Sequence, residues 1–282
     1  MSVLLFPGQG SQFKGMGQDL FKLFPDVVSE ANQILGYDLE QAVLSDVMNQ
    51  TLYTQPLIYC ISIMAWLARK AELKVDMVLG HSLGEYAALY VAEVFDFATG
   101  LRIVKRRAEL MNEAKEGAMA AIVGMSAAKI ETIIKENQLP LVIANYNAPM
   151  QTVISGTKES VDASAKLFVE GRFIPLKVSG AFHSPLLQAA AETLYSYLKQ
   201  FQFHQPRYPI ILNATARAQV DCSIDMPQLL SQQLVRPVFW HQSIEYCLAL
   251  GYLDFIELGP GKVLTSLLDG ILNDPVITGA VN

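Results

Sequence analysis

Short apolar runs alternate along this chain with longer stretches whose apolar residues recur every three or four positions, the pattern of strands interleaved with helices. Ser2-Val3-Leu4-Leu5-Phe6 reads as a first buried strand, ended by Pro7-Gly8. Helical spacing follows around Phe21 to Gly36 and from Leu57 to Lys70. A second apolar run, Met77-Val78-Leu79, leads through Gly80-His81-Ser82-Leu83-Gly84 into a helix-like segment from Glu85 through Ala92. Between Leu101 and Ala114 the residues Leu101, Val104, Ala108 and Met111 share one face, which Arg107 adjoins, while Arg102 and Arg106 share another.

A self-contained unit comes next. Met119 to Gly124 reads as a strand, Ser126 to Asn137 as a helix capped by Ser126, and Pro140 to Tyr146 and Gln151 to Gly156 as two strands. Thr157 to Gly171 reads as a helix and Arg172 to Val178 as a last strand. That βαββαβ order is the ferredoxin-like arrangement. The chain then resumes with helices from Pro185 to Phe201, near Gln228 to Leu234 and near Gln242 to Leu250, and strands at Tyr208 to Asn213 and Asp254 to Leu258. The expected fold class is α/β: a large α/β-hydrolase-like subdomain, residues 1–116 and 180–282, carrying an inserted ferredoxin-like subdomain, residues 117–179.

Composition removes several function classes. With 51% hydrophobic and 17% charged residues the chain is globular, and a formal charge of −6 lacks the basic face that nucleic acid demands. Cys60, Cys222 and Cys247 are odd in number and have no C-x-x-C spacing, so neither a disulfide framework nor a zinc site is expected. The longest apolar run, Leu57 to Ala68, stops at Arg69-Lys70 and reads as a buried helix too short to span a bilayer. No basic n-region precedes the first strand, and the cytoplasm is the expected compartment.

The candidate chemistry centres on Gly80-x-Ser82-x-Gly84, a nucleophile elbow in a strand-turn-helix context. Small flanking residues let the chain turn sharply and lift the serine hydroxyl to a helix N-terminus, where free N–H groups favour a developing oxyanion. A serine needs a base within hydrogen-bond reach, and the chain has four histidines. His81 lies inside the elbow and points to another side of the turn; His204 and His241 have no motif around them. His183, in Ser179-Gly180-Ala181-Phe182-His183-Ser184-Pro185, sits where the insert rejoins the large subdomain, the place for an interdomain cleft, and is the expected base. Phe6-Pro7-Gly8-Gln9-Gly10-Ser11-Gln12 lacks phosphate-loop spacing and reads as a strand-end loop whose glycines let a backbone N–H approach a bound group.

Taken together, FPGQGSQ (6–12), GHSLGEY (80–86), RRAELM (106–111), NAPMQTVISG (147–156), GAFHSPL (180–186), QLVRPVFW (233–240) and ELGPGKVL (257–264) resemble the malonyl-CoA:acyl carrier protein transacylase family nearly end to end. The GAFH stretch also resembles malonyl-selective acyltransferases of polyketide synthases, and a free-standing chain of this length resembles their discrete, trans-acting forms. The resemblance implies that Ser82 carries the acyl group and His183 moves the proton. It also implies that the Gln233 carbonyl orients the imidazole, that backbone N–H groups of Gln9 and Leu83 form the oxyanion hole, and that Arg107 grips the malonyl carboxylate. It implies no metal and no cofactor, with malonyl-CoA as substrate, a carrier protein or carrier domain as partner, no membrane, and a monomer. Lys105, Arg106, Lys166, Arg172 and Lys177 are candidates for a basic landing site for an acidic carrier protein, although a solvated face explains them equally well.

Two rival readings remain: an acyl-carrier-protein hydrolase using the same Ser82 and His183, and a docking module with a degenerate site. Arg107 opposes the first, since neutral acyl chains gain nothing from a buried cation. The joint presence of Ser82, His183, Arg107 and Gln9 opposes the second.

Overall fold

The computed structural model describes residues 2–114, 117–221 and 224–274. Residues 115–116, at the first expected subdomain boundary, and Cys222 lie outside them. The fold is mixed α/β with nine strands among the described residues: β1 (Ser2–Phe6), β2 (Val75–Gly80), β3 (Ala118–Val123), β4 (Leu141–Ala148), β5 (Gln151–Gly156), β6 (Arg172–Pro175), β7 (Ile210–Leu212), β8 (Arg217–Gln219) and β9 (Asp254–Glu257).

Five strands form one sheet in the order β8-β7-β2-β1-β9, parallel except where β8 pairs antiparallel with β7. Alternate side chains of a strand face opposite ways, and here both faces are buried. Leu4, Phe6 and Val78 belong to one apolar core in which the helix Gly84–Val91 lies against β1 and β2 and the helices Pro25–Leu35, Thr51–Arg69 and Phe97–Glu113 complete the layer. Val3, Leu5, Met77, Leu79 and Ile211 face Trp240, Ile244, Leu264 and Leu268 of the helices Trp240–Ala249 and Val263–Leu272. The second sheet is antiparallel, in the order β4-β5-β3-β6, with its own apolar core of Ile122, Ile130, Ile154 and Phe168. Backbone bonds from Val238 to Ala144 and from Tyr146 to Val238 tie it to the segment that follows Gln233.

Several element bounds depart from the periodicity reading. The stretch around 21–36 is two helices, Gln18–Leu23 and Pro25–Leu35, because Pro25 holds Phe24 out of the helical region (φ −129°, ψ 56°). The helix expected from Leu57 begins at Thr51 and runs through Pro56 to Arg69. Pro56, the sixth residue of this helix, has no N–H to offer the carbonyl four residues before it, so the helix runs on with one backbone bond fewer. At 19 residues this helix is long and apolar enough to cross a membrane, and 67% of its apolar 18-residue window is buried inside the fold, as in a core helix. The helix expected to reach Gly171 ends at Ser164 with a 3₁₀ turn after it, and β6 stops at Pro175, which has no N–H for a ladder. Strand β8 and the helix Val263–Leu272 were not anticipated.

Candidate active site

Strand β2 ends at Gly80, and the helix Gly84–Val91 begins four residues later. A Cβ on Gly80 would lie 1.9 Å from the Gly84 carbonyl carbon, and one on Gly84 would lie 1.9 Å from the Phe6 oxygen. The elbow therefore closes only with glycine at both places. Between them Ser82 takes φ +50°, a left-handed conformation that a non-glycine residue keeps only where its surroundings hold it. His183 is also left-handed (φ +56°). It follows Gly180, where a Cβ would meet the Ala114 oxygen at 2.3 Å.

Ser82 Oγ lies 2.8 Å from His183 Nε2, and His183 Nδ1 lies 2.8 Å from the Gln233 carbonyl oxygen. A carbonyl only accepts, so Nδ1 carries the proton and Nε2 presents a bare lone pair to the serine O–H. Burial first, and then the charge of Arg107, pull the His183 pKa down to about 3, so the imidazole is neutral. Arg107 Nη2 donates to Ser82 Oγ at 3.0 Å. That bond occupies an oxygen lone pair and leaves the O–H directed at His183.

Arg107 is 1% exposed, and its apolar neighbours on the helix Phe97–Glu113 are buried with it. Nη1 donates to Gln55 Oε1 at 2.6 Å and Nη2 to Gln233 Oε1 at 2.9 Å; Nε has no partner among the described residues. All three acceptors are neutral, and no carboxylate of the described residues forms an ion pair with it. A buried cation without an anion is costly, and this one stands beside the serine with an N–H to spare.

Gln233 serves two partners besides: its Nε2 donates to the Ser82 carbonyl at 3.0 Å while its own carbonyl holds His183. Gln9 follows Gly8, whose Cβ would meet the His81 oxygen at 2.4 Å, so this loop lies directly on the elbow. Among the described residues the backbone N–H groups of Gln9 and Leu83 have no hydrogen-bond acceptor. The N–H of Ser82 is taken by Asn213 Oδ1.

The other histidines stand apart from this cluster. His81 Nε2 bonds Asn147 Oδ1 at 2.8 Å and its ring tilts against Trp240; His204 is exposed; His241 lies 3.4 Å from Glu245. Of the basic residues considered for docking, Lys105 donates to the Ile34 carbonyl and Arg106 pairs with Glu109, while Lys166, Arg172 and Lys177 are exposed. A cleft of about 310 Å³ leads to His183 between Leu141, Ile143 and Tyr146 on one side and Val235 and Pro237 on the other. A larger one, of about 760 Å³, lies among Trp66, Tyr90, Phe95 and His204 and contains none of the site residues.

The sequence assigns no site role to Gln55 or Asn213. Gln55 sits one residue before Pro56, in a stretch not expected to be helical, and Asn213 ends a strand with no motif around it. No local signal marks either.

A serine on a strand-helix elbow, a neutral histidine on its hydroxyl and a buried guanidinium beside both are the groups that serine acyl transfer uses, with a cation placed where it can meet an anionic acyl group. Comparison with known proteins agrees: residues 3–276 match the acyl transferase domain family. The polyketide biosynthesis malonyl CoA-acyl carrier protein transacylase PksC of Bacillus subtilis is 42% identical, over 97% of this chain and 98% of that protein. The crystal structure of malonyl CoA-acyl carrier protein transacylase from Burkholderia pseudomallei superposes with a TM-score of 0.94 at 39% identity, covering 98% of this chain and 99% of that one. A malonyl-transacylase solved in complex with a type II polyketide synthase acyl-carrier protein superposes at 0.90 with 34% identity, covering 96% and 93%. The chain belongs to the malonyl-CoA:acyl carrier protein transacylase family.

Proposed function

We propose that this enzyme moves a malonyl group from malonyl-CoA to the phosphopantetheine thiol of an acyl carrier protein through an ester on Ser82. The observation that carries the reading is that Ser82 Oγ accepts from Arg107 Nη2 while facing His183 Nε2. His183 takes the serine proton as Oγ attacks the thioester carbonyl. The oxyanion falls between the N–H groups of Gln9 and Leu83, and His183 returns the proton to the departing CoA sulfur. The carrier thiol then repeats the sequence in reverse on the ester. The acid-base work needs no cofactor beyond the pantetheine that the partner brings. Arg107 holds the free carboxylate through both halves. The hydrolase alternative has no support among the relatives and leaves the arginine without a task.

The finer readings are ours as well. Residues 117–179 form an inserted ferredoxin-like subdomain on an α/β-hydrolase-like one; the strand order β4-β5-β3-β6 and its antiparallel pairing support this. Service to a polyketide synthase is supported by the similarity to PksC. A cytoplasmic location fits the buried free thiols of Cys60 and Cys247, and the monomer rests on the family resemblance alone.

The test is intact mass after brief exposure to malonyl-CoA or acetyl-CoA, followed by buffer or by phosphopantetheinylated carrier protein. A malonyl adduct that persists in buffer, moves to the carrier and is absent from Ser82→Ala is expected. Acetyl uptake with loss to water and no malonyl adduct would instead make this a hydrolase.

A further inference from the structure

The geometry points to Asn213 as the positioning residue of the nucleophile, a clamp that holds the elbow closed from outside it; the inference rests on Ser82 being the acylated residue. Asn213 follows β7, which pairs with β2 through Val78↔Ile210 and Leu79↔Ile211, so the sheet register delivers its side chain to the end of β2. There the amide spans the turn. Nδ2 donates to the Gly80 carbonyl at 2.6 Å, and Oδ1 accepts the Ser82 N–H at 2.6 Å. One planar group thus bonds the backbone on both sides of His81 and ends on the N–H of Ser82, the residue whose φ is +50°.

Asn213 is itself fixed. It is buried, its own N–H donates to the Glu85 carboxyl at 2.5 Å, and its carbonyl accepts from Phe239. Glu85 lies on the helix that the elbow starts, so strand, turn and helix are fastened to one residue. The clamp also sorts the amides of the turn: with the Ser82 N–H occupied, the unpaired donor beside the hydroxyl is that of Leu83. Asn213 touches no reacting atom; it acts through where it puts Ser82.

The site needs one donor and one acceptor on a single planar group, which asparagine supplies. A neutral carboxylic acid supplies the same pair, whereas a carboxylate turns an oxygen toward the Gly80 carbonyl and repels it. This separates positioning from bulk. The groups facing the position are Glu85 on the following helix, His81 within the turn, and His183 and Arg107 across Ser82. Burial holds an introduced carboxyl above the ordinary carboxylate range.

The experiment is the single-turnover rate of malonyl-enzyme formation, read by intact mass across pH 5.5–8.5 for wild type, Asn213→Asp and Asn213→Leu, with the KM for malonyl-CoA. Asn213→Leu is expected to lower the saturated rate about 100-fold with KM within about threefold, the effect of a misplaced nucleophile. Asn213→Asp is expected to approach the wild-type rate at the acid end and to fall up to about tenfold per pH unit as its carboxyl ionises. A constant Asn213→Asp to wild-type ratio across the range overturns the clamp, as does a raised KM with an unchanged saturated rate. Should the leucine variant fail to fold, the aspartate pH profile decides alone. Wild type forming no malonyl adduct would overturn the Ser82 reading and this inference with it, an outcome visible before any variant is compared.

Discussion

Removing the Arg107 side chain tests the link between the buried cation and the choice of substrate. In the free enzyme its terminal nitrogens bond Gln55 Oε1, Gln233 Oε1 and Ser82 Oγ, all neutral oxygens. A malonyl carboxylate replaces neutral acceptors with an anion and gains a two-pronged, charge-assisted pair. Such bonds contribute about 1.5 to 3 kcal/mol each, hence about 3 to 6 kcal/mol for two. Stripping water from the carboxylate offsets part of this, so the lower end applies. At 1.4 kcal/mol per decade, Arg107→Ala should lower kcat/KM for malonyl-CoA by about two orders of magnitude. Acetyl-CoA has no carboxylate, and its value should hold or rise, moving by less than about tenfold. Arg107→Lys keeps the charge without the fork and should fall between. The assay is acyl-enzyme formation from each thioester at several concentrations, with urea unfolding of each variant to show that the loss is not instability. The ratio of the two kcat/KM values is decisive. Equal losses for malonyl and acetyl would mean that the arginine only braces the elbow through Ser82 and Gln233.

Because burial and the Arg107 charge hold His183 at a pKa of about 3, the base is in its working form above that value and is lost only as pH falls through it. Malonyl-enzyme formation should therefore be flat from pH 5 to 8, and an acid limb centred between 6 and 7 would contradict the burial argument. Burial pushes the Glu85 carboxyl up to about 8 from 4.5. The stability linked to this raised value is full below 4.5 and is lost as pH rises through 8, so Glu85→Gln should gain on wild type by up to about 1.4 kcal/mol per pH unit across that window. Urea melts at pH 5, 6, 7 and 8 measure it, and a pH-independent difference would refute it. Gln233→Glu places a carboxylate where Oε1 now accepts from Arg107, occupying the substrate's place. The KM for malonyl-CoA should rise at least about tenfold relative to that for acetyl-CoA, by loss of one charge-assisted pair. An unchanged relative KM would show that the malonyl carboxylate goes elsewhere.

The parts of this site that could be read in the chain are those whose physics is local. Gly80 and Gly84 are required by contacts of 1.9 Å made within the elbow or against the adjacent strand, and such contacts print a fixed spacing around Ser82. Arg107 stood out because it adjoins an otherwise apolar helix face, and His183 because it lies at the junction of two patterned regions. The order of strands and helices was legible for the same reason, each element carrying its own period. Gln55 and Asn213 were not legible. They meet Arg107 and Ser82 across 52 and 131 residues of chain, through helix packing in one case and strand register in the other. Their neighbours in sequence say nothing of these partners. Strand β8, with three residues, is too short to show a period, and it exists because β7 offers it an edge.

The neutral orienter of His183 follows from the same buried cation. In a serine-histidine-aspartate triad a carboxylate holds the imidazole and stabilises its protonated form. Here that place belongs to the Gln233 carbonyl, and the Gln233 side chain touches Arg107. An ionised aspartate in its stead, taken at roughly 6 Å from the guanidinium with an effective dielectric of 20, would attract it by about 3 kcal/mol. It would repel a malonyl carboxylate in turn, and about two decades of preference for that substrate would be lost. The neutral carbonyl leaves the arginine's charge unmatched until substrate arrives. With burial first and the Arg107 charge second pulling it down, and no carboxylate to hold it up, His183 is a weak base with a pKa of about 3. A weak base suffices because a thioester is already an activated acyl donor and its thiolate a good leaving group. In the proposed reaction the arrangement thus gives up basicity where the chemistry needs little of it, and it keeps the cation for a substrate distinguished from acetyl-CoA by one carboxylate.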